Sequence, residues 1–257
     1  MAQDTFRVVA LGTGAPLHPE RGNLALHVSG GGFAPLMLDT GGGLELARQA
    51  ARVDLRLDDV RHVVLTHRHG DHIGGVMAFV LAGLLDVTYY GPIDALDGAR
   101  QLIEATYPEV PRPAPERFVA VEAGSRWQVG GFELRFFEVR HRVPTLAVRV
   151  EGGGKVLAYS ADSVPCDALV ACAREADLFV CDALVAESDG QDAARRAAVL
   201  MHPTAREAGE MARSARAKSL ALVHLARFAT GDRVLAEGQA AFGGSTTLPD
   251  DGTVLPL

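Results

Sequence analysis

"THRHGDHIGG", residues 66–75, places three histidines and an aspartate between His67 and His72. Ordinary packing does not ask for this. A buried imidazole has two ring nitrogens to satisfy, and three packed together without a common partner leave polar groups unpaired. Upstream, "RHVVLTH" (61–67) is a β-branched apolar run that reads as a buried strand; downstream, "IGGVMAFVLAGLL" (73–85) reads as helix despite its paired glycines. The cluster thus sits where a strand ends and a helix begins, which is where open α/β sheets hold ligands. His67 and His69 are two apart, while Asp71 and His72 are adjacent. A curled loop can therefore aim four side chains from two directions at a pair of neighbouring cations. Imidazole and carboxylate without cysteine suit zinc, with manganese or iron as alternatives.

The rest of the composition narrows the function classes. With 257 residues, 48% of them hydrophobic, the chain can bury a sizeable core, and residues 1–257 are expected to form a single domain. The net charge of −7 gives no global attraction to nucleic acid or to an anionic membrane. Lys155 and Lys218 are its only lysines, and the arginines are scattered. Extended nucleic-acid binding is not expected. A small anionic substrate is, because two divalent cations would locally cancel about four negative charges. No apolar stretch approaches the roughly 20 residues of a membrane span. "MAQDTFRVVALGTG" enters a strand without a charged leader, so a cytoplasmic protein is expected; a homodimer is compatible with this composition. Cys166, Cys172 and Cys181 are odd in number and lack metal-type spacing, and they read as buried or half-buried thiols.

Along the chain, "FRVVALGTGAP" runs from strand into a glycine turn, and "NLALHVSGGGFAPLMLDTGGG" reads as a hairpin whose second strand ends at Asp39. A short helix follows at "LELARQAAR", then the histidine strand, and "DVTYYGP" as another strand. Residues 98–107 read as helix, and the proline-rich "YPEVPRPAPERF" as a surface loop. Strands are expected at 118–121, 132–139, 145–151, 155–160, 177–182 and 219–225. The last two flank the helix of "TAREAGEMARSARA", where Thr204 and Glu207 fit a capping box. The last fifteen residues are poorly patterned. Strands first and last with helices between predict sheets covered by helices on their outer faces.

A pair of cations needs more than four ligands. His141 follows "FELRFFEVR", Asp162 follows "KVLAYSA" and His224 ends "SLALVH", each at the C-terminal side of an apolar β-run. A lone histidine after a strand is usually structural; three such residues beside the opening cluster are a set. His67, His69, Asp71, His72, His141, Asp162 and His224 together resemble the metallo-β-lactamase superfamily in its dinuclear form, over almost the whole chain from "LGTGAP" to "LVHLARF". The resemblance implies an α/β fold, a four-layer αββα sandwich of two mixed sheets with helices outside. It implies two divalent ions, the first held by His67, His69 and His141, the second by Asp71, His72 and His224, with Asp162 bridging opposite a hydroxide. Asp39, otherwise read as a turn aspartate before glycines, would orient the histidine loop from behind.

Asp162, rather than a cysteine, at the bridging position speaks against a true β-lactamase. "LGTGAP" with "RGN", and "MHPTAREAGEMA" before "LALVHLARF", resemble the ribonuclease Z group of phosphodiesterases, which implies a catalytic role for His202; by itself His202 reads equally as a helix-entry residue. That group carries a tRNA-gripping arm between the matches to His141 and Asp162. Here the interval is 162 − 141 = 21 residues, and "CDALVAE" stands where the group has His-Glu-Ala-Thr. The expected activity is therefore hydrolysis of small or nucleotide-like phosphodiesters, with Asp71 accepting a proton and His202 protonating the leaving group. Arg21 is read either as an anion contact or as a solvated loop residue. The alternatives are a carboxyl-ester, lactone or thioester hydrolase, a tRNA 3′-processing endonuclease, and a non-catalytic metal-binding sensor.

Overall fold

The computed structural model describes residues 6–257. Its first half builds one sheet and the helices outside it: β1 (Arg7–Gly12), β2 (Ala25–Gly30), β3 (Phe33–Leu38), α1 (Glu45–Arg52), β4 (His62–Val64), α2 (Gly70–Ile73), α3 (Val76–Leu81), β5 (Thr88–Gly91), α4 (Ile93–Thr106) and β6 (Phe118–Ala120). Its second half builds the other: β7 (Arg126–Val129), β8 (Phe132–Glu138), β9 (Leu146–Gly152), β10 (Lys155–Tyr159), α5 (Asp167–Cys172), β11 (Leu178–Asp182), α6 (Gln191–Leu200), α7 (Ala205–Ala215), β12 (Ser219–Val223), α8 (Gly231–Phe242) and β13 (Ser245–Thr247). A last strand, β14 (Thr253–Leu255), crosses back to the first sheet.

The sheets run β14-β1-β2-β3-β4-β5-β6 and β13-β12-β11-β10-β9-β8-β7. In each, hairpin strands pair antiparallel on one side and crossover strands pair parallel on the other. One apolar cluster, including Leu26, Leu38, Phe132, Leu134, Val150 and Tyr159, lies between the sheets. Two more seat α1, α3 and α4 on the first sheet and α5, α7 and α8 on the second. The layers are α, β, β, α, as the resemblance implies.

Of the stretch 73–85 expected as helix, the part beyond the glycines forms one, while Ile73 closes an earlier helix that already contains His72. α2 begins at Gly70 and ends at Ile73, and α3 starts at Val76. The glycine pair explains the break. A Cβ on Gly75 would lie 1.9 Å from the Thr40 carbonyl oxygen, and one on Gly74 2.3 Å from that of Gly42. The histidine loop is thereby pressed against the loop after β3. The helix expected at 98–107 begins earlier, at Ile93, directly after Pro92. β7, α5, α6 and α8 form beyond the elements expected from the sequence, as do β13 and β14 within the poorly patterned tail. β14 finds its place only by pairing with β1, Val8 against Leu255. The capping box at Thr204 and Glu207 forms as expected.

His27, on β2 between Val9 and Met37, is buried on the helix side, and its Nδ1 has no hydrogen-bond partner. Burial, with Arg7 nearby, holds its pKa down at about 4. A histidine kept neutral by folding stabilises the native state above the unfolded value near 6.5 and loses that contribution as pH falls toward 4. His27→Leu removes this loss. The stability gap between variant and parent is therefore expected to shift in the variant's favour by about 2 kcal/mol between pH 7.5 and pH 5. Urea unfolding at both pH values reads it, and parallel pH dependence of the two proteins would refute it.

Candidate metal centre

Strand ends from both sheets deliver the site. Asp39 follows β3, and His67 and His69 follow β4. Asp71 and His72 lie in the first turn of α2. His141 follows β8, Asp162 follows β10, Asp182 closes β11, His202 precedes α7 and His224 follows β12. The chain turns sharply to aim these groups. Asp39, Ala161, Met201 and His224 adopt left-handed φ values of 56°, 53°, 65° and 65°. Such backbone costs free energy at a non-glycine residue and gathers at functional sites.

The donor atoms form three groups that all include Asp162, the third being Asp162, Asp182, His202 and His224. His67, His69, His141 and Asp162 make the first; Asp71, His72, Asp162 and His224 make the second. In the first, His69 Nδ1 lies 3.1 Å from His67 Nε2 and 3.2 Å from His141 Nε2. In the second, His72 Nε2 and His224 Nε2 lie 3.5 and 3.3 Å from Asp71 Oδ2. Asp162 Oδ2 is central, between 3.3 and 3.8 Å from His72, His67, His224 and His141. Four ligand atoms arranged tetrahedrally at zinc–ligand bond lengths stand about 3.3 Å apart. The spacing matches that of ligands around a common ion.

Two further observations fit a divalent cation. His72 Nε2 and Asp162 Oδ1 are buried without any hydrogen-bond partner, a cost that coordination would remove. The outward nitrogens, in contrast, are engaged: His72 Nδ1 with Asp39 Oδ2 at 2.8 Å, His67 Nδ1 with Thr66 Oγ1 at 3.0 Å, and His141 Nδ1 with the Met201 carbonyl at 3.2 Å. His224 Nδ1 is the exception: it faces Asp182 Oδ1 at 3.5 Å, and neither atom has a hydrogen-bond partner. Acceptors behind metal-binding imidazoles fix their tautomer and orientation in this way. Asp39 is the hub: it also accepts from Thr66 N–H and hydroxyl at 2.8 Å each, and from the Tyr159 hydroxyl at 2.7 Å.

Without cations the cluster is electrostatically divided. Burial pushes His67, His69 and His141 below the ordinary imidazole value. Burial also opposes charge on His72 and His224, but Asp162 and its neighbouring carboxylates outweigh it, raising His72 well above that value and His224 to about 10. Against their own burial, Asp71 is held below the usual carboxylate range first by His72, and Asp162 first by His224. Cations entering the second donor group would displace protons.

His202 stands beside this centre, its ring stacked 5.0 Å from His224 and edge-on 5.1 Å from His141. Its Nδ1 lies 2.6 Å from Asp182 Oδ2. Burial opposes charge on His202, but Asp182 and Asp162 raise its pKa. Asp182, fully buried, went unread in the sequence although it ends the apolar run "LFVCD" as Asp162 follows its own. Tyr159 and Thr66 were also missed; a hydroxyl behind a carboxylate leaves no spacing signal. Arg21 is held by three acceptors. Its guanidinium donates to Thr13 Oγ1, to the Pro249 carbonyl and to Asp250, pinning the loop after β1 to the segment before β14.

Comparison with known proteins places these features in a family. A model of the beta-lactamase superfamily domain matches residues 36–225. The chain is 29% identical to a ribonuclease Z of Halorubrum lacusprofundi, over 98% of this chain and 97% of that one. Among solved structures, the metallo-beta-lactamase fold protein YhfI of Bacillus subtilis superposes with a TM-score of 0.82 at 20% identity, covering 98% and 99% of the two chains. A diphosphatase from the PhnP family superposes with a TM-score of 0.75 at 18% identity, covering 98% of each.

Proposed function

We propose that this chain, which belongs to the beta-lactamase superfamily, is a phosphodiesterase acting on small or nucleotide-like diesters with two divalent cations, most readily zinc. The observation that carries the reading is the pair of four-donor groups joined through Asp162, with the Asp182–His202 pair beside them. His67, His69 and His141 would hold one cation, Asp71, His72 and His224 the other, and Asp162 both. Held by these residues, the cations would supply a bound water of lowered pKa and would offset charge on phosphoryl oxygens.

The chain's own groups do the rest. Asp71, at the mouth of the second group, accepts a proton from the attacking water. His202, charged through Asp182, gives its proton to the leaving oxygen, while Nδ1 stays on the carboxylate. Asp39, through His72 and Thr66, keeps the loop from shifting as charge moves. Substrate size follows from what surrounds the centre. β9 and β10 fill the interval between His141 and Asp162 with a hairpin. The net charge of −7 offers no electrostatic footprint for a folded RNA. The ribonuclease Z relative favours phosphodiester chemistry over carboxyl-ester or lactone hydrolysis.

Protein purified without chelator is expected to contain about two divalent ions per chain by elemental analysis. It is expected to cleave a dinucleotide-sized diester at physiological salt, with little or no 3′ processing of precursor tRNA. Metal near zero would end the metallo-hydrolase reading. Efficient, correctly placed tRNA cleavage would restore the ribonuclease reading, and turnover of lactones or thioesters alone would replace phosphodiester chemistry.

A further inference from the structure

Beside Asp71 a cleft of about 570 Å³ opens, lined by Leu17, Leu44, Met77, Leu102 and Tyr107 among others. Among the described residues Asp71 is its only charged lining residue, and no lysine, arginine or histidine lines it. The other cleft at the centre differs: it contains His202, His224, Arg227 and Phe228. Two features mark the first cleft as more than surface relief. Leu17 is 79% exposed and Leu44 50% exposed, so two large apolar side chains stand in water at the mouth of the centre. Leu17 also adopts a left-handed φ of 64°, a conformation that disfavours a leucine. The chain thus bears both a hydration cost and a backbone cost to hold an apolar side chain here. Such costs are offset when a ligand covers the surface.

We propose that this cleft takes an uncharged, apolar ester group of the substrate, aromatic or alkyl, and that it is the group retained on phosphorus after cleavage. The inference rests on the phosphodiesterase reading for the reaction. The placement follows from the protons. His202, the donor to the leaving oxygen, lines the Arg227 cleft, so the departing group lies there and the retained group lies along Asp71. A second phosphate on the retained group would find no basic side chain among the cleft's described lining residues, which sets the preference against a further charge.

The experiment holds the leaving group constant and varies the retained one, using methyl and phenyl p-nitrophenyl phosphate with the metal-loaded protein. Burial of a phenyl ring is expected to raise kcat/KM at least about tenfold over methyl, chiefly through KM. Leu44→Asp, and its combination with Leu17→Asp, is expected to bring the phenyl-to-methyl ratio toward one. Leu44 is exposed and directly precedes α1, where a carboxylate favours the helix, so folding is retained. A ratio near one in the parent, or one the variants leave unchanged, overturns the proposal. If neither diester turns over, the phosphodiesterase reading falls, and calorimetry with methyl- and phenylphosphonate still reads the cleft. A tenfold preference for phenyl that the variants abolish keeps the apolar subsite; equal affinities remove it.

Discussion

Asp162→Ala is expected to lose both cations or to bind them at least about 100-fold more weakly, with activity falling accordingly. Loss of a carboxylate that merely orients a ligand already costs 10- to 100-fold in metal affinity. Asp162 is more central than that. Its Oδ2 lies within 3.8 Å of ring nitrogens of His67, His72, His141 and His224, and its Oδ1 is buried without a partner. Removing it leaves four imidazoles facing each other around an uncharged gap, so neither donor group stays complete. Asp162→Asn separates charge from shape, since it keeps the volume and one oxygen. It should retain the fold by circular dichroism while losing most of the metal. Full occupancy in Asp162→Ala, measured by elemental analysis and competition with a chelator, would show that the two groups do not share this residue as a ligand.

His202→Ala is expected to lower kcat by roughly 10²-fold or more on a substrate with an alkoxide leaving group, a common size for a proton donor or transition-state contact. Metal content should hold, because His202 is not among the seven proposed ligands. Nitrophenolate needs little protonation, so the same variant should lose far less on p-nitrophenyl esters. Asp182 supplies the sharper control. It lies 2.6 Å from His202 and 3.5 Å from His224, and it touches neither cation in the proposed scheme. Asp182→Ala should reproduce the alkoxide-specific loss, and adding it to His202→Ala should cost little more, because the carboxylate acts through the imidazole. Equal losses on both leaving groups would assign His202 a role in holding the site together instead of proton transfer. Additive losses would detach Asp182 from it.

The parts of this molecule that were legible in the sequence are those whose signal is short-range. Three histidines and an aspartate in one turn declare a shared partner wherever the loop folds. β-branched runs ending in His67, Asp162 or His224 declare both the strand and the side chain at its end, since the period of a strand and its burial are properties of the run itself. The box at Thr204 and Glu207 likewise closes within four residues. Asp182 shows the edge of that legibility. It obeys the same strand-end rule, yet its value lies in partners 20 and 42 positions away, His202 and His224.

What the tertiary structure alone decided are the long closures. Gly74 and Gly75 part α2 from α3 because the backbone of residues 40–42 presses on them, and nothing near those glycines in the chain announces that neighbour. Tyr159 reaches Asp39 across 120 residues, Thr13 reaches Asp251 across 238, and Arg21 reaches the Pro249 carbonyl across 228. β14 is a strand only because the edge of β1 is open to it. Propensity and spacing act over a few residues, whereas these contacts are chosen by packing two whole sheets against each other. The sequence therefore named the metal-binding chemistry by itself, and the meeting of the sheets decided which carboxylates stand behind it and which apolar side chains stand before it.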